Sequence, residues 1–258
     1  MRDLAGKVRE LGLAHVQLAL GDLIVLDENR QREELDELRA AGIQFTGGMM
    51  AFAGEDYSSI HRIRQTGGYV SAADWPERKR LSIEGAKLAQ RLGIKTITSH
   101  IGFVPPPGDA SYKPMLLRIR ELAGEFSRHG VDLLMETGQE PAGELLAFLN
   151  DLAAPNVHIN FDPANMILYG AGDPIEAIRL LGRHIRHVHV KDATPSARPG
   201  IDWGAEVPFG AGIVGASRFV HALAQIGYSG PLAIEREAGN DRMGDVNIAI
   251  QTLQKTLG

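Results

Sequence analysis

The stretch Val131-Asp-Leu-Leu-Met-Glu136, the helical-period segment Pro141–Leu152 and the run Val157-His-Ile-Asn-Phe-Asp162 together decide the fold. Each apolar run has the length of a buried strand, and each ends in a carboxylate. Glu136 and Asp162 are 26 residues apart. A strand with its crossover helix needs roughly 25 to 30 residues. Working outward, the next interval, from Asp162 to His189 in His187-Val-His-Val-Lys-Asp192, is 27 residues. The one after it, to Glu235 behind Pro231-Leu-Ala-Ile, is 46. Polar groups therefore recur at the pace of a β/α unit, each where a strand meets a loop.

The rest of the chain continues the alternation. Strands are expected at 14–20, 42–45, 94–99 and 231–234, beside those at 131–135, 157–161 and 187–190. Helices are expected at 33–41, 75–92, 116–129, 141–152, 174–181, 216–226 and 246–257. The tracts 47–74 and 193–213 read as rim loops. Such alternation implies a parallel sheet, and 258 residues fit one (β/α)8 TIM barrel spanning 1–258. The reading yields seven strands, not eight, and the chain opens on a helix-like segment, 2–11. The expectation is a barrel gapped at its N-terminal edge, lacking its first strand.

Composition narrows the function. With no cysteine, disulfides, thiolate nucleophiles and cysteine-ligated zinc are excluded. A net charge of −5 without a basic run argues against a nucleic-acid partner. The start Arg2-Asp-Leu-Ala-Gly-Lys7 is not a signal core, and no run of about 18 apolar residues occurs. The expectation is a cytoplasmic protein with no membrane partner. No Gly-x-Gly-x-x-Gly, Walker A or Gly-x-Ser-x-Gly pattern appears.

Strand parity orients the candidate site. His187, His189 and Lys191 share one strand face and Val188 and Val190 the other, so the histidines point into the barrel. His189, nearer the carboxyl end, is the better ligand, and His187 reads as a packed core histidine. A lone carboxylate at a strand end commonly caps a helix or forms an ion pair. Three carboxylates and an imidazole at one rim are costly to bury together without a cation. Glu136, Asp162, His189 and Glu235 are thus the candidate ligands of one divalent ion. This hard, oxygen-rich set favours Mn²⁺, with Mg²⁺, Co²⁺ and Zn²⁺ as alternatives. His100, Glu140, Asn165, Lys191 and Trp203 are candidate substrate contacts. Each has a structural alternative: a backbone-satisfied histidine, a helix-dipole partner, a rim salt bridge of Lys191 with Asp192, a loop anchor. Glu55, Asp56 and Tyr57 receive no role.

On Leu-Leu-Met-Glu136-Thr-Gly-Gln, Asn-Phe-Asp162-Pro-Ala-Asn-Met, His-Val-His189-Val-Lys-Asp and Pro-Leu-Ala-Ile-Glu235, the chain resembles the xylose isomerase-like superfamily of sugar isomerases and epimerases. That superfamily also includes endonuclease IV-type repair enzymes. The resemblance runs from about Arg2 to Leu257 and implies a TIM barrel. It further implies one Mn²⁺-like ion on Glu136, Asp162, His189 and Glu235, with Glu136 and Glu235 as proton acceptor and donor. Several relatives carry a histidine where this chain has Asn165. Their further substrate glutamate falls on Ala142, with Glu140 nearby, and their arginine after the histidine strand falls on Pro195.

The chemistry implied is enolisation. A divalent ion stabilises an enediolate as a Lewis acid while a carboxylate on each face moves the proton. The leading reading is a metal-dependent isomerase or epimerase of a keto-sugar or sugar phosphate. The alternative is a lyase or dehydratase of a keto-sugar or cyclitol by the same enolisation. An abasic-site endonuclease is disfavoured by Asn165 and the charge. A non-catalytic sugar-binding module is disfavoured by the intact ligand set. A small sugar is the expected partner, and a homo-oligomer is compatible with the fold though nothing in the residues fixes it.

Overall fold

Strands pair in parallel, in chain order, wherever an apolar run was expected. The computed structural model describes residues 2–258. Its main sheet comprises β1 (His15–Ala19), β2 (Gln44–Met50), β3 (Thr96–Ser99), β4 (Asp132–Glu136), β5 (Val157–Phe161), β6 (Ile185–Val190) and β9 (Leu232–Ile234), in the order β1-β2-β3-β4-β5-β6-β9. Helices α1 (Arg2–Glu10), α2 (Gly21–Ile24), α3 (Glu28–Ala40), α4 (Ile60–Thr66), α5 (Trp75–Leu92), α6 (Tyr112–Arg128), α7 (Ala142–Leu152), α8 (Pro163–Tyr169), α9 (Pro174–Leu181), α10 (Ala216–Gln225) and α11 (Arg242–Leu257) lie between and around the strands. None of the described helices is long and apolar enough to cross a membrane.

The sheet is a TIM barrel short of one strand, as the count of apolar runs predicts. Among the described residues β1 pairs only with β2, and β9 only with β6. A cavity of about 760 Å³ opens between those two edges, lined by apolar residues such as Leu4 and Val8 of α1 and Leu232 of β9 and also by Gln17, His189 and Glu235. Elsewhere the barrel is packed. Leu133 and Ile159 in the strands, and Phe126, Phe148 and Phe219 in the helices, are fully buried.

Three readings of the rim need correction. Tract 47–74 is not all loop: β2 runs on through Gly47-Gly48-Met49-Met50. The glycines there reflect close packing, since a Cβ on Gly48 would stand 2.5 Å from Leu20 Cδ1. The same tract holds α4, whose N-cap Ser59 accepts from Arg62 N at 3.2 Å. Helix α8 was not anticipated, although Asp162-Pro163 carries its start signal: Asp162 Oδ1 accepts from Asn165 N at 2.9 Å and Pro163 opens the first turn. Loop 193–213 contains a short antiparallel hairpin, β7 (Asp192–Thr194) with β8 (Ala205–Val207).

Candidate metal centre

Four strands deliver the predicted ligands to one point. Glu136 is the last residue of β4, and Asp162 follows β5 as the N-cap of α8. His189 lies in β6, and Glu235 follows β9. One ligand atom from each lies within 4.8 Å of the others. His189 Nδ1 is the node: Glu136 Oε1 and Glu235 Oε2 are each 3.2 Å away, and Asp162 Oδ2 is 3.5 Å away. Glu136, Asp162 and His189 are at most 3 % exposed.

Gln17 on β1 fixes which imidazole nitrogen faces the carboxylates. Its Nε2 donates to Thr98 Oγ1 at 3.0 Å, so its Oε1 accepts from His189 Nε2 at 2.7 Å. Nδ1 is left pointing into the cluster, the arrangement in which an outer partner sets the tautomer of a metal-ligating histidine. Buried His189 Nδ1, Asp162 Oδ2 and Glu136 Oε2 have no hydrogen-bond partner among the described residues. Burial works against a charged imidazole, yet Glu235, Glu136 and Asp162 outweigh it and hold the His189 pKa well above the usual value. The negative field that would keep a proton on Nδ1 equally suits a divalent cation. Three carboxylates and one imidazole, three of the four residues buried with an unsatisfied atom and Glu235 partly exposed and paired with Lys191, thus fit such an ion.

Neighbouring predictions divide. Asn165 joins the site: its Nδ2 donates to Glu136 Oε1 at 3.1 Å. His100 Nε2 lies 3.7 Å from Glu136 Oε2. Both line a cavity of about 530 Å³ with Glu136, Lys191, Trp203 and Glu235. Trp203 packs edge-on against Tyr169, ring centroids 4.7 Å apart, so it anchors its loop and walls the cavity at once. Lys191 is also in the wall, but its ammonium is engaged by Glu235 and Glu237 at 2.9 and 2.6 Å. Burial alone would push the Lys191 pKa down; Asp162, Glu235 and Glu237 hold it well above the lysine range.

Two residues sit differently from expectation. Glu140 does not line the cavity. It is buried beside the Val104 backbone, and burial pushes its carboxyl up to about 8. Asp192 makes no rim pair with Lys191. Its carboxylate accepts from the backbone N–H groups of Ala193, Gly210, Gly212 and Val214 at 2.9–3.1 Å, folding the loop containing Phe209-Gly-Ala-Gly212. His187 is the core histidine that parity predicts. It contacts Asn160 Oδ1 at 2.7 Å and Thr46 Oγ1 at 3.1 Å, and burial lowers its pKa to about 4.

Sequence reasoning missed Gln17, Glu206 and Tyr169, and it named Glu55 and Tyr57 without a role. The signal for Gln17 was present: a lone amide in Ala14-His-Val-Gln-Leu-Ala-Leu20, at strand parity opposite Val16 and Leu18. Glu55, Tyr57, Tyr169 and Glu206 line the cavity from three separate segments, which no local pattern links. Glu55 and Glu206 are committed to the wall. Glu55 accepts from Phe52 N and Gly68 N, and Glu206 accepts from Arg236 and from the N–H groups of Glu237 and Ala238.

A family model described as a xylose isomerase-like TIM barrel matches residues 5–256. Among solved structures, a xylose isomerase domain protein from Planctomyces limnophilus is 35 % identical, with 97 % of this chain and 91 % of that one covered and a TM-score of 0.91. A xylose isomerase-like TIM barrel protein from Mycobacterium smegmatis, in complex with magnesium, shares the fold at 18 % identity, with 100 % and 89 % covered and a TM-score of 0.76. So does the D-psicose 3-epimerase of Clostridium cellulolyticum H10, with D-tagatose, at 18 % identity, 99 % and 93 % covered and a TM-score of 0.72. No curated protein sequence matches the chain significantly. Ligand order, strand order and these matches agree: the chain belongs to the xylose isomerase-like TIM-barrel family.

Proposed function

We propose that residues 1–258 form one catalytic domain, a divalent-metal-dependent isomerase or epimerase of a neutral keto-sugar. The observation that carries this is the convergence of Glu136, Asp162, His189 and Glu235 within 4.8 Å, with Glu136 and Glu235 lining a sugar-sized cavity. A divalent ion held by these four residues, Mn²⁺ or Mg²⁺ by the hardness of the donors, would supply Lewis acidity for enolisation. The protein's own groups do the rest. Glu136 Oε1 is tied by Asn165 while its Oε2 has no partner, which suits it to exchange a proton with a substrate carbon. Glu235, held ionised by His189 and Lys191 against the effect of burial, is the second acid–base group. His100 and Trp203 bind and orient the substrate from the wall, and Tyr169 backs Trp203. Among the described residues no arginine lines the cavity, and Lys191 is already satisfied by carboxylates, so a phosphate or carboxylate on the substrate finds no free counter-cation there.

The test is solvent exchange. Mn²⁺-loaded protein is incubated in D₂O with a panel of unphosphorylated keto-sugars and followed by NMR. Deuterium should enter at the carbon beside the carbonyl as an epimer or isomer forms. Glu136→Gln and Glu235→Gln should each lower that rate by about 100-fold or more while keeping the wild-type circular dichroism. Wild-type exchange in either variant contradicts the two-glutamate assignment, and a product that has lost water establishes elimination instead.

A further inference from the structure

Lys191 Nζ sits among oxygens in the manner of a bound cation. Glu237 Oε2 is 2.6 Å away, Glu235 Oε2 2.9 Å and Asp162 Oδ2 3.7 Å, with Asn165 Oδ1 at 3.4 Å. The lysine is 2 % exposed. An ammonium has three N–H donors, and four oxygens compete for them here. Two of these oxygens, Glu235 Oε2 and Asp162 Oδ2, are also the ones that face His189 Nδ1. The ammonium and the candidate metal position therefore share two carboxylates.

Resting on the metal reading above, we propose that Lys191 is an internal counter-cation that takes the place of a second metal ion, so that the centre binds one divalent ion and not two. Glu136, Asp162 and Glu235 bring three largely buried carboxylates to this end of the barrel, one negative charge more than a single divalent ion neutralises, and the exposed Glu237 adds a fourth at the rim. Leaving the excess buried and unpaired is costly. A usual remedy is a second ion about 3.5–4 Å from the first, bridged by shared carboxylates. A tethered ammonium supplies the charge without a dissociable ligand. It also repels the ion beside it, so the lysine holds Glu235 and Glu237 in place at the expense of metal affinity. Lys191 is accordingly a positioning residue, and its signature is metal stoichiometry rather than rate alone.

The experiment is Mn²⁺ titration by calorimetry and electron paramagnetic resonance on the wild type, Lys191→Ala and Lys191→Arg. The wild type and the arginine variant should bind one ion per chain. The alanine variant should bind two, with the spectrum of a coupled pair. Two ions in the wild type, or only one ion in Lys191→Ala, would overturn the proposal. No ion in the wild type overturns the metal reading itself, so the two failures are distinguishable. Should Lys191→Ala not fold, Lys191→Gln removes the charge while keeping a polar chain, and the same outcomes apply.

Discussion

At the residue scale, the four strand-end groups were legible because each ends an apolar run where a core residue would otherwise stand. Their partners were not, because a partner is a property of three dimensions. Gln17 lies 172 residues from His189, and only the curling of the sheet brings their side chains within 2.7 Å. Replacing Gln17 with Leu frees His189 Nε2 and should weaken Mn²⁺ binding by about 10- to 100-fold with little change in fold; calorimetry checks this, and unchanged affinity removes Gln17 from the centre. Glu140 was expected at the substrate and lies instead buried away from the cavity lining, with its pKa raised to about 8. The folded state therefore binds a proton that the unfolded state has lost above its ordinary value of 4.5. Its stabilising contribution is full below that value and is lost as pH rises to about 8. Glu140→Gln should flatten the pH dependence of stability across this window and make the protein the more stable of the two near pH 8. Denaturant titrations at about pH 5 and about pH 8.5 test it; parallel curves for wild type and variant would contradict the assignment.

Elements were read well where periodicity is strong and poorly where one residue does two jobs. Asp162 reads as a metal ligand from its spacing, and that reading hid its second role as the N-cap that launches α8. Gly47 and Gly48 read as loop because glycine is rare inside strands, yet here the absent side chains admit Leu20 and Thr96. Asp192 read as half of a surface pair and is the hub of the loop after β6. Asp192→Ala strands four backbone N–H groups and should destabilise the protein by about 2–4 kcal/mol. Loop 193–213, which carries Trp203, should become the first site of limited proteolysis in that variant. A loss below about 0.5 kcal/mol would mean that the loop is held elsewhere.

At the scale of the whole molecule, the barrel and its gap followed from counting apolar runs, since each β/α unit announces itself locally. The cavity did not, because its lining is assembled from loops after many different strands. The gap leaves β1 and β9 each bonded on one side only. Amides of β1 and β9 should therefore exchange with solvent faster than those of β4 and β5, which are paired on both sides. Equal protection across the barrel would show that something closes the seam in solution. The curvature of the sheet from β4 to β9 places the four ligands together, and a metal analysis tests that most directly. Purified protein, supplied with Mn²⁺ and dialysed, is assayed beside an Asp162→Ala/His189→Ala double variant of matching circular dichroism. One ion per chain is expected in the wild type and none in the variant. A wild type that holds no ion after Mn²⁺, Mg²⁺, Co²⁺ or Zn²⁺ is supplied, or a variant that retains its ion, would contradict it.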